Sequence, residues 1–131
     1  MTLLLADTSV WVAHFRSANP LLQTLLERDL VLCHPLIVLE IACGTPPAPR
    51  QRTLGDLNGL RQAVIATTDE ILMLIETEQL HDSGCGAVDI ALLASVLLTP
   101  NALLWTADKK LGSLAARLGI AFAAARLTRR P

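Results

Sequence analysis

Hydrophobic residues along the chain form short runs that alternate with stretches of helical spacing. The runs at Leu3–Ala6, Leu30–Cys33 and Ala102–Thr106 predict strands buried on both faces of a parallel sheet. Weaker patterns predict further short strands at Ala63–Ala66 and Ile120–Ala123. Because helical stretches separate these strands, the order of elements is typical of an α/β fold.

Leucine spacing, N-cap residues and glycine exits mark the helices between the strands. We predict helices at Val10–Phe15, Pro20–Arg28, Leu36–Cys43, Arg50–Leu60, Asp69–Leu80, Ala87–Leu98 and Lys109–Leu118. Thr68 is expected to cap the fifth helix, whose apolar stripe is Ile71, Leu72, Ile75 and Leu80. The expected architecture is a three-layer α/β/α sandwich around a central parallel sheet of four to five strands.

Composition narrows the class of protein. With 131 residues, 52% of them hydrophobic, residues 1–131 are expected to form a single domain with a heavily buried core. The longest largely apolar stretch, Ile90–Leu98, is too short to span a bilayer, so no membrane partner is expected. Three cysteines without metal-ligand spacing predict reduced, buried thiols and a cytoplasmic location. A formal charge of −1 gives no overall attraction to nucleic acid.

Four acids are isolated from other charges. Asp7, Glu40 and Asp89 have no Lys or Arg nearby in sequence, and Asp108 closely follows an apolar run. Ionised carboxylates are rarely buried without a partner. Asp7 and Asp108 follow strands expected to be neighbours, at the edge where parallel sheets bind ligands. We therefore expect the four acids to converge on a cation.

Each acid also has a purely structural interpretation. Asp7 is a suitable helix N-cap, and Asp89 would favour the N-terminus of its helix electrostatically. Glu40 lies in mid-helix, where a buried salt bridge to a distant arginine is the alternative to a functional role. Asp108 is followed by Lys109–Lys110, which offer it ion-pair partners.

Clustered carboxylates repel one another unless a cation compensates them. Oxygen ligands favour a hard divalent ion, Mg²⁺ or Mn²⁺, over zinc. Such an ion lowers the pKa of water and offsets charge on phosphate oxygens. The chemistry that these residues support best is metal-dependent hydrolysis of phosphodiester bonds by water, leaving 5′-phosphate and 3′-hydroxyl ends.

In this order the motifs resemble a known family. Asp7-Thr8-Ser9 after the first strand, the lone Glu40, Val88-Asp89-Ile90-Ala91 and Thr106-Ala107-Asp108 are similar to the motifs of PIN-domain ribonucleases. More narrowly, the chain resembles the VapC-type toxins of toxin–antitoxin pairs over essentially its whole length, from Thr2 to about Phe122.

The resemblance implies a Mg²⁺- or Mn²⁺-dependent endoribonuclease. With so few aromatic residues and no Tyr, base stacking is expected to be minor, which favours structured RNA recognised by its shape and backbone. The resemblance also implies a homodimer and a cognate antitoxin of the VapB type. Asp7, Asp89 and Asp108 would be the metal ligands, and Glu40 a further ligand or the group that orients the attacking water. Ser9 and Thr106 would support these acids through hydrogen bonds.

Other classes remain open at this point. A PIN-type nuclease that acts in RNA processing or on DNA has the same motifs, and a catalytically silent interaction subunit has the same fold. A phospho-acceptor receiver module needs an acceptor aspartate on a middle strand, which Ala63–Thr67 does not supply. Trp11 and Trp105 are expected to anchor the core, and Arg126, Arg129 and Arg130 to form a solvated basic tail.

Overall fold

The computed structural model describes residues 1–123. Its four strands are β1 (Leu3–Ala6), β2 (Val31–Cys33), β3 (Arg61–Gln62) and β4 (Ala102–Trp105). Its helices are α1 (Thr8–Arg16), α2 (Pro20–Glu27), α3 (Pro35–Cys43), α4 (Arg50–Asn58), α5 (Thr68–Glu78), α6 (Ala87–Leu98) and α7 (Lys109–Arg117). The predicted α/β architecture is confirmed, because helices flank a central parallel sheet of four strands.

The order of strands in the sheet is β3-β2-β1-β4, and every pairing is parallel. After β1 the chain builds outward through β2 and β3, then returns to place β4 on the other side of β1. The order therefore reverses between β1 and β4, and the residues that follow these two strands open onto one crevice. Leu3 to Ala6 pair with Ala102 to Trp105, as predicted for neighbouring strands.

The core lies between the sheet and its helices. The strand residues Leu5, Leu32 and Leu104 are at most 1% exposed, as are Leu92 and Leu93 of α6. Helix α6 is buried along Ile90–Val96, which explains why its sequence is apolar on nearly every face. A helix packed in this way holds its N-terminal residues in a defined position at the carboxyl edge of the sheet.

The predicted strand at Ala63–Ala66 is wrong. The strand in this region is Arg61–Gln62, and the next residues run along α6. The amide of Val64 donates to Thr99 Oγ1 at 2.9 Å and the amide of Ala66 to Ser95 Oγ at 3.4 Å. Side chains of α6 and its C-cap thus accept hydrogen bonds from backbone amides that would otherwise need a neighbouring strand as partner.

The last predicted strand, Ile120–Ala123, is reduced to one parallel bridge between Leu104 and Ala121. Backbone hydrogen bonds join Leu104 N to Ile120 O at 2.7 Å and Phe122 N to Leu104 O at 2.9 Å. Among residues 1–123, this bridge is the strand pairing that β4 makes on the side away from β1.

The fifth helix also differs from its prediction. Thr67, not Thr68, is the N-cap, and it forms a capping box with Glu70. The helix ends at Glu78 because Gln79 adopts the left-handed conformation, at φ 53°. Leu72, predicted to face the core, is 55% exposed.

Candidate active site

Asp7 lies at the carboxyl end of β1 and is the most buried of the four acids, at 4% exposure. It is the N-cap of α1, so the structural interpretation is correct for this residue. Its Oδ1 accepts from the Ser9 hydroxyl at 2.5 Å and from the Val10 amide at 3.2 Å. Its Oδ2 accepts from the Thr106 hydroxyl at 2.5 Å. These three donors satisfy the oxygens of a nearly buried carboxylate and hold it in one orientation.

Ser9 and Thr106 connect the ends of the two central strands. Ser9 Oγ accepts from the Ala107 amide at 2.9 Å, and Thr106 Oγ1 accepts from the Asp108 amide at 3.0 Å. The hydroxyl oxygens of Ser9 and Thr106 lie 3.5 Å apart. The segment after β4 is therefore bound to the side chains around Asp7. Both residues hydrogen-bond to Asp7, and their support of a metal site stays a prediction.

Asp108 follows β4 and is the N-cap of α7, accepting from the Leu111 amide at 2.9 Å. It is exposed. Neither Lys109 nor Lys110 forms an ion pair with it among residues 1–123, so the pairing interpretation is wrong. One carboxylate oxygen of Asp108 caps the helix, which leaves the other oxygen available to a ligand.

Glu40 lies within α3 and is exposed rather than buried. The Thr8 hydroxyl donates to its Oε1 at 2.6 Å. Within the described residues no arginine pairs with Glu40, so the buried salt-bridge interpretation is also wrong. Sequence reasoning missed the role of Thr8, although this residue stands in the same Asp-Thr-Ser motif. The contact ties Glu40 to the first turn of α1, immediately beside Asp7.

Asp89 lies in the first turn of α6 and is half-buried. Burial raises the pKa of its carboxyl group above the ordinary value, and the negative charges of Asp108, Asp7 and Glu40 raise that pKa further. A backbone hydrogen bond from Gly86 opposes these effects in part. All four predicted acids therefore lie within electrostatic range of one position, at the edge where β1 and β4 end.

The four acids converge on one region, but their side chains do not form a complete set of metal ligands. Among residues 1–123, no three Asp, Glu, His or Cys side chains lie close enough together to hold an ion as they stand. The donor set nevertheless fits a hard divalent cation, because all four groups are carboxylates and the negative charges of three of them act on the fourth, Asp89. The site is thus an open acidic cluster.

Cys85 and Lys110 border this cluster. The pKa of the Cys85 thiol is raised by burial and by the charges of Asp89 and Asp108, while Lys110 lowers it. The Lys110 side chain packs on Gly84, where a Cβ atom would meet Lys110 Cδ at 2.8 Å. A positive charge is therefore held at the rim of the acidic site.

The remaining candidate residues have structural roles. Trp11 and Trp105 are 4% and 7% exposed, which confirms that they anchor the core. The imidazole of His34 caps α3 through the Leu36 amide at 3.0 Å. All three cysteines are free, but Cys43 is exposed and so is not a buried thiol.

Two further expectations concern the basic tail and membrane-spanning helices. Arg126, Arg129 and Arg130, the predicted basic tail, lie outside the described residues. Within residues 1–123, no helix has the length and apolar character needed to cross a membrane.

A four-stranded parallel sheet with carboxylates after β1 and β4, and on two adjoining helices, defines a class of acidic-site α/β proteins suited to phosphate chemistry. The crystal structure of PAE2754 from Pyrobaculum aerophilum shares the fold, with a TM-score of 0.57 over 90% of this chain and 97% of that one, at 17% identity. No protein-family model matches the chain.

Sequence comparison is more specific. The chain is 43% identical over 121 residues to Ribonuclease VapC32 of Mycobacterium tuberculosis strain CDC 1551 / Oshkosh, an alignment that covers 92% of this chain and 97% of the relative. The same values apply to Ribonuclease VapC32 of strain ATCC 25618 / H37Rv. The chain belongs to the VapC family of PIN-domain proteins.

Proposed function

We propose that this protein is an endoribonuclease toxin that hydrolyses phosphodiester bonds in structured RNA with the help of Mg²⁺ or Mn²⁺. The observation that carries the proposal is the placement of four carboxylates at one edge of the sheet: Asp7 and Asp108 cap the helices that follow β1 and β4, Asp89 lies in the first turn of α6, and Thr8 binds Glu40. Family membership supports it, since the relatives from Mycobacterium tuberculosis are named ribonucleases. A divalent cation bound here would lower the pKa of a water molecule and offset charge on the phosphate.

The four acids have different tasks in this proposal. Asp7, Asp89 and Asp108 would hold the cation, and Glu40 would orient the attacking water and accept its proton at a carboxylate oxygen. Glu40 suits that task because it is exposed and its Oε1 is already oriented by the Thr8 hydroxyl. Asp7 suits the ligand role because three donors hold its carboxylate in a fixed direction.

The proposal is tested by incubating total cellular RNA with the purified chain in Mg²⁺, in Mn²⁺ and in EDTA, and sequencing the new ends. We expect discrete cuts that require the metal and disappear in Asp89→Asn. Asp69→Asn is the matched control, because Asp69 also lies in the first turn of a helix, α5, but is exposed and remote from the acidic site. Equal loss in both variants would contradict the proposal.

The chemistry of the ends is a separate test. Attack by water leaves 5′-phosphate and 3′-hydroxyl ends, which ligate directly to adaptors that require these groups. Ends carrying a 2′,3′-cyclic phosphate would show that the ribose hydroxyl is the nucleophile. That result would remove the task proposed for Glu40 while leaving RNA as the substrate.

We infer that an antitoxin of the VapB type is the regulatory partner. A groove of about 430 Å³ adjoins the acidic site, and Phe15, Arg16, Glu40 and Ile41 are among its lining residues. A peptide with an apolar side chain for Phe15 and Ile41 would lie directly against Glu40. Induced expression in a bacterial host should arrest growth, and Asp89→Asn should abolish the arrest; growth arrest by both would separate toxicity from catalysis.

We also propose a homodimer. Five apolar side chains on and before α5 and α6 are 41–70% exposed, more than an isolated domain needs to leave open: Ile65, Leu72, Met73, Leu97 and Leu98. Helices α5 and α6 pack on each other, which brings their exposed apolar side chains to the same part of the molecule. The whole chain would act as a single domain in the cytoplasm, which is consistent with its three free thiols.

A further inference from the structure

A polar groove of about 530 Å³ lies between α7 and the loop that follows α5. Its lining includes Lys109, Lys110 and Arg117 on one wall and His81 and Ser83 on the other. Lys109 and Lys110 are the only two lysines of the chain. A protein with a formal charge of −1 thus concentrates both of its lysines and an arginine along one groove.

The three cations are available to an anionic ligand. Among residues 1–123, none of them forms an ion pair, and the acid in the groove, Asp82, lies 3.9 Å from His81. Lys110 and Arg117 are seven positions apart on α7, which places them on the same face about 10 Å from each other. An extended polyanion, rather than a single small anion, matches two charges at that separation.

Both of these side chains are positioned by the loop. One guanidinium nitrogen of Arg117 donates to the Glu78 carbonyl at 2.7 Å, which leaves its other donors for a ligand. The stem of Lys110 rests on Gly84, whose φ of 85° and lack of a Cβ atom permit the close approach. Part of the ordering needed for binding is therefore present in the free protein.

The groove lies beside the acidic site, although none of the four acids lines it. Lys109 and Lys110 follow Asp108 directly, and the charge of Lys110 acts on Cys85 together with the charges of Asp89 and Asp108. We propose that this groove, defined by Lys109, Lys110 and Arg117, binds the phosphate backbone of the RNA strand next to the cleaved bond. This inference rests on the proposed ribonuclease function and specifies how its substrate is held.

The physical consequence is electrostatic binding that does not depend on base sequence. Each phosphate neutralised on a single strand contributes about 0.7 to the slope of log affinity against log salt. Replacing Lys110 and Arg117 by glutamine removes two charges and keeps much of the side-chain length. The expected changes are a salt slope smaller by about 1.4 and, at 0.1 M salt, an affinity about 25-fold lower.

The first experiment measures binding of fluorescently labelled bulk tRNA in EDTA, where cleavage does not interfere. Lys110→Gln/Arg117→Gln is compared with Arg28→Gln/Arg61→Gln, which removes the same charge; Arg28 follows α2, at the sheet edge opposite the acids, and Arg61 pairs there with Asp29. The charge-retaining exchange Lys110→Arg/Arg117→Lys should restore most of the affinity. Equal losses in the two double glutamine variants, or an unchanged salt slope in the groove variant, would overturn the proposal.

A second experiment needs no variant. Acetylation of amines, followed by mass spectrometry, reports on only Lys109, Lys110 and the amino group of Met1. Met1 is 82% exposed and precedes β1, whereas the lysines lie beyond the opposite end of the sheet. Bound tRNA should protect the lysines and leave the Met1 amine reactive; protection of Met1 alone would place the RNA elsewhere.

The experiments distinguish an error in the proposed RNA-binding groove from an error in the proposed ribonuclease function. If wild-type protein cleaves RNA but the lysines remain reactive in its complex, the groove proposal is wrong and the ribonuclease stands. If the chain binds tRNA through the lysines but cuts no cellular RNA, the groove stands as an RNA site and the catalytic proposal fails. Absence of any RNA binding would refute both.

Discussion

Replacing Thr106 by valine tests whether the hydroxyl network around Asp7 prepares the acidic site. Thr106 donates to Asp7 Oδ2 at 2.5 Å and accepts from the Asp108 amide at 3.0 Å. Valine is nearly isosteric with threonine and retains its β-branched shape, so the substitution removes the two hydrogen bonds and little packing. Asp7, at 4% exposure, would keep only the Ser9 and Val10 donors.

The expected loss of stability follows from the kind of bond removed. A hydrogen bond to a charged group contributes about 1.5–3 kcal/mol, whereas a neutral one contributes about 0.5–1.5 kcal/mol. Water can replace Thr106 at the exposed Asp108, so we expect Thr106→Val to lower the free energy of unfolding by about 2 kcal/mol in EDTA. For a chain of this length that corresponds to a decrease in Tm of about 8 °C.

Thr99→Val is the matched control within the same chain. The Thr99 hydroxyl also donates once and accepts once, to the Ser95 carbonyl at 2.7 Å and from the Val64 amide at 2.9 Å, but neither partner is charged. We expect it to cost about 1 kcal/mol. The assay is urea unfolding of both variants in EDTA, followed by RNA cleavage in Mg²⁺.

Thr106→Val should also reduce cleavage by roughly 10–100-fold, because residues that orient metal ligands commonly have effects of that size. Thr99→Val should leave cleavage unchanged. The reasoning would be refuted if Thr106→Val were no less stable than Thr99→Val, since the charge of Asp7 would then contribute nothing to the network. Full activity of Thr106→Val would refute the positioning role alone.

Three further predictions concern the acids and the apolar surface. In EDTA at neutral pH, Asp89→Asn should be more stable than wild type, because its ionised carboxylate is disfavoured by burial and by Asp108, Asp7 and Glu40. Because the folded pKa of Asp89 is raised, this penalty is absent below its unfolded pKa, about 3.9, grows as pH rises from there to the folded pKa, and is complete above it. Melts across pH should show the advantage of Asp89→Asn grow over the same window. Mg²⁺ or Mn²⁺ at 100 times Kd should stabilise the wild type by about 2.7 kcal/mol and so raise its Tm. The rise should be far smaller in Asp89→Asn. Equal Tm shifts of the two proteins in differential scanning fluorimetry would show that the ion binds elsewhere. Met73→Lys should raise the dissociation constant of the proposed dimer at least 10-fold without unfolding the chain, since Met73 is 70% exposed. Sedimentation equilibrium measures this, and an average mass equal to that of the wild type would contradict the prediction.

Sequence reasoning succeeded where function depends on the order of motifs along the chain. The strands before Asp7 and Asp108 were recognisable as apolar runs, and the parallel pairing of β1 with β4 places the two acids at one edge. Sequence reasoning failed for a segment whose backbone amides hydrogen-bond to side chains instead of to a neighbouring strand. Ala63–Ala66 has the composition of a strand, but the amides of Val64 and Ala66 donate to side chains of Thr99 and Ser95, and no local pattern encodes these contacts.

The sequence by itself determined the class of fold, the identity of the four acids and their hydroxyl supports, because periodicity and motif order are local properties of a chain. Only the tertiary structure decided how each acid is held. Burial and hydrogen bonding depend on residues distant in sequence: Thr106 reaches Asp7 across 99 positions, and Thr8 reaches Glu40 across 32. The same holds for the groove along α7, since the contact of Lys110 with Gly84 exists only after α7 packs beside the loop that precedes α6.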